Sequence, residues 1–301
     1  MRRMNLGAHI SVAGGLHQAF ARGEAAGCTT LQIFAKNERQ WKAKPLTEEG
    51  IAQFKAEGQR SKLGPVMVHG SYLVNLASPS DELWERSIEA VADELDRCDR
   101  LGIPLLVMHP GAHTGSGPEA GVQRVAAGLD RLFEQGAGGD VLVLLETTAG
   151  QGTCMGGSFE ELARMIELLR HPERVAICVD TCHIFAAGYD ITTDEGYAAT
   201  FERLGELVGL DRVKAFHLND SKGTLGSHLD RHEAIGDGQI GLEGFRRLLN
   251  DGRFCGLPMV IETPKGKDAA DDIRNLTTLR GLRVDAQRSA TTGNQTTGDH
   301  R

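Results

Sequence analysis

The sequence predicts a single (β/α)8 TIM barrel, an α/β fold with its active site at the C-terminal ends of the strands. Three observations support this prediction. Eight short β-rich runs occur along the chain, polar or glycine-rich loops and amphipathic segments separate them, and the 301 residues exceed the roughly 250 that one barrel needs. The runs are near-continuous in Val, Ile and Leu, as in parallel strands buried on both faces. A doubly wound open sheet is the structural alternative.

The predicted strands cover residues 4–9, 30–34, 65–69, 104–109, 141–146, 175–180, 213–217 and 258–262. Several helices between them have recognisable ends. Ser80 is a predicted N-cap, and Gly102 closes the same helix. Ser158 with Glu161 forms a capping-box pattern, and Thr193 begins another helix. The chain therefore has the alternation of strand and helix that a barrel requires.

The chain divides into one large domain and a short tail. Residues 1–282 are predicted to form the barrel without an internal boundary. Residues 283–301 are rich in Thr, Gly, Gln and Asn and have almost nothing to bury. We predict that they form a disordered polar C-terminal tail.

The composition is that of an ordinary globular protein, with 40% hydrophobic and 25% charged residues and a mean hydropathy of −0.26. No apolar run approaches the roughly 18 residues of a membrane span, and the first residues lack a signal-peptide pattern. The six cysteines are scattered without a CxxC pair, which argues against a disulfide framework and a thiolate zinc site. We expect a cytoplasmic protein that does not bind a membrane.

A formal net charge of −8 at first argues against a nucleic-acid partner. The local distribution of charge is different. Residues 36–44 contain a single acid, Glu38, and four basic residues, Lys36, Arg39, Lys42 and Lys44. A run of this kind is usually a solvated loop, so its meaning depends on where it lies in the fold.

Six consecutive predicted strands end in a histidine or a carboxylate. These residues are His69, His109, Glu146, Asp180, His217 and Glu262. In a barrel these strand ends meet at one rim, where active sites are built. A single histidine after a strand is more often a core or loop residue, but six such residues in register indicate a site.

Three further candidates follow in the loops. His183 lies three residues after Asp180, and Asp230 and His232 have a spacing that points both side chains the same way in an extended segment. Together the candidates are five histidines and four carboxylates. This donor set suits zinc or manganese, and its size suits two or three ions that clamp a phosphate. Cys182 is not expected to be a ligand, whereas His228 stays open as one and His9 is expected just behind the ligands.

Long ordered motifs cover the chain from Gly7 to Pro264. They are GAHIS from Gly7, HGSYLVNLASP from His69, HPGAH from His109, ETTAGQG from Glu146, VDTCHIFAAGYD from Val179, HLNDSKG from His217, DRHEAIGDGQIG from Asp230 and ETP from Glu262. In these motifs the sequence resembles the endonuclease IV family, the zinc-dependent apurinic/apyrimidinic endonucleases also called deoxyribonuclease IV.

The resemblance implies three zinc ions, with manganese as a substitute at one site. One zinc takes His69, His109 and Glu146. A second shares Glu146 and adds Asp180, His217 and Glu262, and the third takes His183, Asp230 and His232. By the same resemblance, Glu146 and Glu262 are catalytic residues that hold and orient the nucleophile.

The implied reaction is hydrolysis of the phosphodiester bond 5′ to an abasic site in double-stranded DNA. It leaves a 3′-hydroxyl and a 5′ deoxyribose phosphate, and the family also removes 3′ blocking groups. Arg39, Tyr72 and Leu73 match family residues that penetrate the base stack. Lys222 and Arg231 lie on the same rim, where they can contact the phosphate backbone. No obligate protein partner is evident from the sequence.

Two alternatives of other classes remain. A metal-dependent sugar isomerase or epimerase uses the same barrel, but such enzymes usually need only one or two metal ions and a small enclosed pocket. A non-catalytic nucleic-acid-binding module is the other alternative, although a pure binder has no use for nine convergent ligands. Counting the metal ions in purified protein separates the nuclease from the isomerase.

Overall fold

The computed structural model describes residues 4–266 and 268–284, and within them eight parallel strands close into a barrel. Two further short strands, β8 and β9, pair with each other outside it. The strands are β1 (Asn5–His9), β2 (Thr30–Ile33), β3 (Val66–His69), β4 (Leu105–Met108), β5 (Leu142–Glu146), β6 (Val175–Asp180), β7 (Val213–His217), β8 (Asp220–Ser221), β9 (His232–Glu233) and β10 (Pro258–Ile261). The predicted barrel is confirmed, and each barrel strand ends within about one residue of its predicted bounds.

Helices surround the barrel and connect its strands. Those in the described part of the chain are α1 (Gln18–Ala25), α2 (Glu48–Ser61), α3 (Asp81–Leu101), α4 (Pro118–Glu134), α5 (Phe159–Leu168), α6 (Thr181–Ala187), α7 (Asp194–Leu207), α8 (Gly241–Asn250) and α9 (Ala270–Gly281). Barrel strands are paired in chain order, and β1 closes the ring by pairing with both β2 and β10. The carboxyl ends of all eight barrel strands therefore share one rim.

The helix ends follow the sequence closely, with one exception. Ser80 accepts a hydrogen bond from the backbone N–H of Leu83, and Gly102 takes the left-handed conformation that ends α3. Ser158 likewise accepts from the N–H of Glu161. The second hydrogen bond of the predicted capping box, from the Ser158 N–H to the Glu161 side chain, is wrong. The Glu161 carboxylate accepts from the Gly156 N–H at 2.7 Å instead.

The core has two parts. A large cluster joins the outer faces of the strands to the helices, with Phe20, Phe159, Phe216 and Phe245 among its fully buried side chains. A smaller cluster consists of strand residues alone and fills the barrel interior. It comprises Met67, Leu105, Val107, Leu144, Ala176, Cys178, Ala215 and Val260. The residues at the rim pack directly above this interior layer.

Two elements at the rim were not predicted. Helix α6 begins directly after β6, and β8 and β9 form a small antiparallel pair between β7 and α8. Both are too short to give a periodic sequence signal. They matter because they position three of the predicted ligands.

None of the helices in residues 4–266 and 268–284 is long and apolar enough to cross a membrane. Of the predicted tail, residues 285–301 lie outside the described part of the chain.

The composition of the tail leads to a prediction about stability. Deleting residues 287–301 is expected to leave the melting temperature and DNA cleavage nearly unchanged, because these residues offer almost no apolar surface to bury. Thermal unfolding followed by circular dichroism tests this expectation. A drop of more than a few degrees would mean that the tail packs on the barrel.

Candidate metal centre at the carboxyl ends of the strands

The six candidate ligands from the strands form one layer above the apolar interior of the barrel. Side chains two residues apart on a strand share a face. Each candidate lies two residues after a member of the interior cluster. The pairs are Met67 and His69, Val107 and His109, Leu144 and Glu146, Cys178 and Asp180, Ala215 and His217, and Val260 and Glu262. The six side chains therefore converge inside the rim.

Glu146 lies at the centre of this layer and is fully buried. Its Oε2 atom is 3.1 Å from Nε2 of His69 and 3.0 Å from Nε2 of His109. One ligand atom from each of these three residues lies within 4.8 Å of the others. Two imidazoles and a carboxylate at these distances can hold one metal ion.

The other oxygen of Glu146 belongs to a second cluster. Its Oε1 atom is 2.8 Å from Nδ1 of His217. That nitrogen also lies 3.3 Å from Oε2 of Glu262 and 3.8 Å from Oδ2 of Asp180. Glu146 therefore directs one oxygen to each of the two clusters.

The third cluster is built by the two rim elements that the sequence did not predict. His183 lies in the first turn of α6, and its Nε2 atom is 3.2 Å from Oδ1 of Asp230. His232, in β9, has its Nε2 atom 3.5 Å from the same oxygen. The structure thus brings the nine predicted ligands together. Three of the four candidate groups are the predicted ones, and the fourth joins Asp180 and His232 with Cys182.

Backbone carbonyls fix the orientation of three of these histidines. Nδ1 of His69 donates to the Gly70 carbonyl at 2.8 Å, and Nδ1 of His183 donates to the Thr147 carbonyl at 2.8 Å. Nδ1 of His232 donates to the carbonyl of Glu262 at 3.2 Å. A histidine that donates through Nδ1 keeps Nε2 free as an acceptor, which is the usual arrangement of a metal ligand.

The third cluster supplies a direct test of whether a metal fits. The Nε2 atoms of His183 and His232 are both buried, and neither makes a hydrogen bond with the residues that the structure describes, although Oδ1 of Asp230 lies 3.2 Å and 3.5 Å away. Buried polar atoms are nearly always satisfied, so two orphaned imidazole nitrogens beside one carboxylate need an explanation. A cation held between them and Asp230 satisfies both, and the donor set fits zinc.

Gln32 is a functional residue that the sequence reasoning missed. Its Oε1 atom accepts from Nε2 of His217 at 2.8 Å, and its Nε2 atom donates to Oε1 of Glu262 at 2.6 Å. One buried amide therefore orients two ligands of the second cluster and leaves Nδ1 of His217 facing them. His9, expected behind the ligands, lies 3.1 Å from the same Glu262 oxygen. A polar side chain within the apolar run TLQIF was the available signal.

Asn219 is a second residue that was missed. Its Nδ2 atom donates to Oδ2 of Asp180 at 2.6 Å, and its Oδ1 atom accepts from the backbone N–H of Glu262 at 2.7 Å. The amide thereby ties β6 to the end of β10 directly under the ligands. Its position two residues after His217 was the signal in the sequence.

The electrostatics of the site favour bound cations. Burial disfavours the ionised carboxyl of Glu146, but His217 and His109 outweigh burial and lower its pKa well below the usual range. Burial is likewise outweighed at Asp230, where His183 lowers the pKa to about 2. Burial disfavours a charged His183, yet Asp180 and Asp230 raise its pKa well above the usual value. The carboxylates that draw protons to these rings also attract metal ions, which compete with those protons.

Three neighbouring residues stay outside the three groups. Cys182 lies within reach of Asp180 and His232, but its thiol donates to the Arg231 carbonyl at 3.7 Å, and burial raises its pKa to about 12. His228 donates through Nδ1 to the Ala149 carbonyl at 2.9 Å. His113 accepts from the N–H groups of residues 115 and 117 before α4. We interpret all three as structural residues.

Two loops carry the residues predicted to penetrate DNA. The second loop, residues 34–47, displays Arg39, whose side chain is 87% exposed. The third loop, residues 70–80, displays Tyr72, which is 58% exposed, whereas Leu73 is half-buried. The Tyr72 ring packs 5.2 Å from the His69 ring. The Tyr72 ring therefore lies beside the first cluster.

Lys222 and Arg231 lie across from each other at the small antiparallel pair. The N–H of Lys222 donates to the Arg231 carbonyl at 2.9 Å, and both residues are exposed. The Lys222 ammonium group lies 3.7 Å from Oε2 of Glu233. Both cationic groups reach solvent at the rim, near the third cluster.

Lys36 corrects one expectation about the basic loop. A basic run of this kind was expected to be a solvated loop, but the Lys36 side chain is only 2% exposed. Its ammonium group lies 3.2 Å from Asp93 and 3.3 Å from Glu94 of α3. A buried charge needs such partners, and Lys36 is therefore unavailable to a phosphate.

Comparison with known proteins agrees with this geometry. The family model described as xylose isomerase-like TIM barrel matches residues 20–279. A protein named Probable endonuclease 4 from Chloroflexus aurantiacus is 61% identical over 276 residues, covering 92% of this chain and 97% of that protein. The solved structure of endonuclease IV from Thermus thermophilus has a TM-score of 0.82 and 37% identity, over 92% of this chain and 98% of that one.

A more distant match separates fold from family. A D-tagatose 3-epimerase-like protein superposes with a TM-score of 0.71 at 18% identity, over 93% of this chain and 97% of that one. That likeness shows the barrel alone. The family follows instead from the match over most of the length and from relatives that are more than half identical. The chain belongs to the endonuclease IV family.

Proposed function

We propose that this protein is a three-zinc endonuclease that hydrolyses the phosphodiester bond 5′ to an abasic site in double-stranded DNA. The products are a 3′-hydroxyl and a 5′ deoxyribose phosphate, and the same chemistry removes 3′ blocking groups. The observation that carries the proposal is the division of nine buried or half-buried ligands into three adjoining clusters. The names of the 61% identical relative and of the Thermus structure agree with it.

In this proposal one zinc is held by His69, His109 and Glu146. The second is held by Glu146, Asp180, His217 and Glu262, and the third by His183, Asp230 and His232. When bound, zinc supplies Lewis acidity that makes water a nucleophile near neutral pH and offsets the charge of a phosphate. Manganese can substitute at one site, because imidazole and carboxylate ligands suit both ions.

The protein side chains orient the reactants. Glu146 and Glu262 each have a carboxylate oxygen near Nδ1 of His217, at 2.8 Å and 3.3 Å. In the proposed reaction, Glu146 and Glu262 would hold and orient the attacking water. Gln32 keeps Glu262 in place, so the carboxylate does not have to reorganise during the reaction.

DNA binding is assigned to exposed and half-buried side chains of the rim loops. Arg39, Tyr72 and Leu73 enter the base stack and hold the duplex open while the abasic sugar turns into the centre. Lys222 and Arg231, near the third cluster, contact the phosphate backbone. An acidic body can bind DNA in this way, because positive charge is concentrated at the rim when metal is bound.

A sugar isomerase or epimerase is the second candidate, because barrels of that kind share the fold. The third cluster argues against it, since two imidazoles and Asp230 add a further ion beyond the first two clusters. The deciding experiment incubates the protein with a duplex that carries one abasic analogue and identifies the product ends. Three zinc ions per chain and a 3′-hydroxyl end support the nuclease. One divalent ion and an intact duplex support the isomerase.

Arg39, Tyr72 and Leu73, here called the wedge residues, lead to a separate prediction. Replacing Tyr72 and Leu73 together by Ala is expected to slow cleavage of abasic duplex by roughly ten-fold to a few hundred-fold. Each ten-fold loss in rate corresponds to about 1.4 kcal/mol of activation free energy. The inserted side chains offset part of the cost of opening a base step, and the variant loses that contribution. Steady-state cleavage of the duplex is the measurement.

Two controls separate DNA binding from support of the metal centre. Tyr72→Phe keeps the ring that packs on His69 and is expected to cleave near the parental rate. Hydrolysis of bis(4-nitrophenyl) phosphate, which needs no wedge, is expected to be unchanged in the double variant. Equal losses on both substrates would assign the pair to structural support of His69.

A further inference from the structure

Helix α3 anchors the second and third loops at the same place. Glu94 of this helix is only 2% exposed, and its Oε1 atom accepts from the backbone N–H of Ser71 at 3.0 Å. The ammonium group of Lys36 lies 3.3 Å from the same oxygen and donates to the Ala90 carbonyl at 3.1 Å. A single buried carboxylate thus binds the beginnings of both loops.

Arg97, one turn further along α3, forms hydrogen bonds with both ends of the second loop. Its guanidinium group donates to the Ala35 carbonyl at 3.4 Å and to the Lys44 carbonyl at 2.8 Å. Its Nε atom donates to Asp93 at 3.0 Å, which fixes the guanidinium on the helix. Both ends of the second loop are therefore bound by one guanidinium group, an arrangement that we call the clasp.

The Ser71 hydroxyl connects the middle of the second loop to the third loop. It donates to the Glu38 carbonyl at 2.7 Å and accepts from the N–H of Leu73 at 3.2 Å. Glu38 directly precedes Arg39, and Leu73 directly follows Tyr72. One hydroxyl thus joins the peptide units beside all three wedge residues.

We propose that Lys36, Ser71 and Glu94 form a loop latch: positioning residues that hold the wedge loops in one shared arrangement before DNA binds. This inference rests on the proposed function and deepens it. Ordering two loops in advance removes an entropic cost from binding, so the latch acts on affinity for duplex DNA. It does not touch the scissile phosphate, so it leaves the chemical step alone.

The variant Ser71→Ala tests the latch with little risk to folding, because it removes one hydroxyl and keeps the backbone bond to Glu94. Ser78→Ala is the matched control. Ser78 is a buried serine of the same loop, and its hydroxyl accepts from the nearby Ser80 N–H at 3.2 Å, its one hydrogen bond within residues 4–266 and 268–284. On abasic duplex, Ser71→Ala is expected to raise KM about three- to ten-fold with kcat unchanged, since both hydrogen bonds of the hydroxyl are lost. Ser78→Ala is expected to match the parent in both constants.

Hydrogen exchange of the zinc-loaded protein without DNA provides an independent readout. In Ser71→Ala, peptides from residues 34–47 and 70–80 are both expected to exchange faster, whereas Ser78→Ala leaves residues 34–47 unchanged. Faster exchange in the third loop alone, or an equal loss of kcat on duplex and on bis(4-nitrophenyl) phosphate, would overturn the latch. A parent protein that leaves abasic duplex intact would instead refute the proposed function, and exchange alone would then decide the latch.

Discussion

Glu262→Gln is expected to lower turnover on abasic duplex by roughly two to three orders of magnitude, or about 3–4 kcal/mol, while the affinity for DNA stays within a few-fold of the parent. The amide keeps one oxygen to accept from Gln32. It places an NH2 group where Oε2 of the carboxylate lies 3.3 Å from Nδ1 of His217. That position then offers a donor instead of a metal ligand. Single-turnover cleavage and equilibrium binding measure the two quantities separately.

Glu233→Gln is the matched control for this substitution. Glu233 lies on the same rim beside His232, and its carboxylate interacts with Lys222 and the N–H of Ala234 rather than with a ligand cluster. Its replacement is expected to change turnover by no more than a few-fold. If Glu262→Gln also turned over within a few-fold of the parent, the role assigned to Glu262 would be wrong.

Removing the metal ions is expected to have a still larger effect. Exhaustive chelation should reduce cleavage by about a thousand-fold or more, because the ions supply several kcal/mol of transition-state stabilisation. Zinc should restore activity better than magnesium, since imidazole ligands suit zinc and magnesium prefers oxygen. Cleavage of abasic duplex before chelation, after it and after readdition is the measurement.

A chelator saturated with zinc beforehand is the control for effects unrelated to metal removal. Circular dichroism of the chelated protein shows whether the barrel remains folded. We expect that it does, because the large core between strands and helices contains none of the ligands. Full activity after prolonged dialysis against excess EDTA would contradict a metal mechanism.

The barrel and the ligand layer were predictable because both depend on strand periodicity. A run of buried apolar residues that ends in His or Glu predicts a barrel strand and, at its end, a candidate ligand. The alternation of faces then puts His69 above Met67 and Glu146 above Leu144. The grouping into three clusters came from the family resemblance, and the distances around Glu146 agree with it.

Long-range polar contacts were not predictable in the same way. Gln32 and Glu262 are 230 positions apart in the chain, and only the closed barrel shows that they share a hydrogen bond. The partners of Lys36 lie in α3, so its charge looked available when the loop was considered alone. Local sequence reports which side chains a loop contains, but not which of them the neighbouring helix buries.

Under the proposed function, the clasp at Arg97 offers a way to alter lesion preference in the laboratory. Because the carbonyls of Ala35 and Lys44 meet at one guanidinium, the chain between them starts and ends at neighbouring points. None of the nine candidate ligands lies in that stretch, and β2 contributes Gln32 before it begins. The stretch can therefore be exchanged for that of a homologue as a cassette, provided that the incoming segment keeps Lys36. Libraries built on residues 37–43 would sample how the enzyme probes damaged duplexes while leaving its hydrolytic machinery intact.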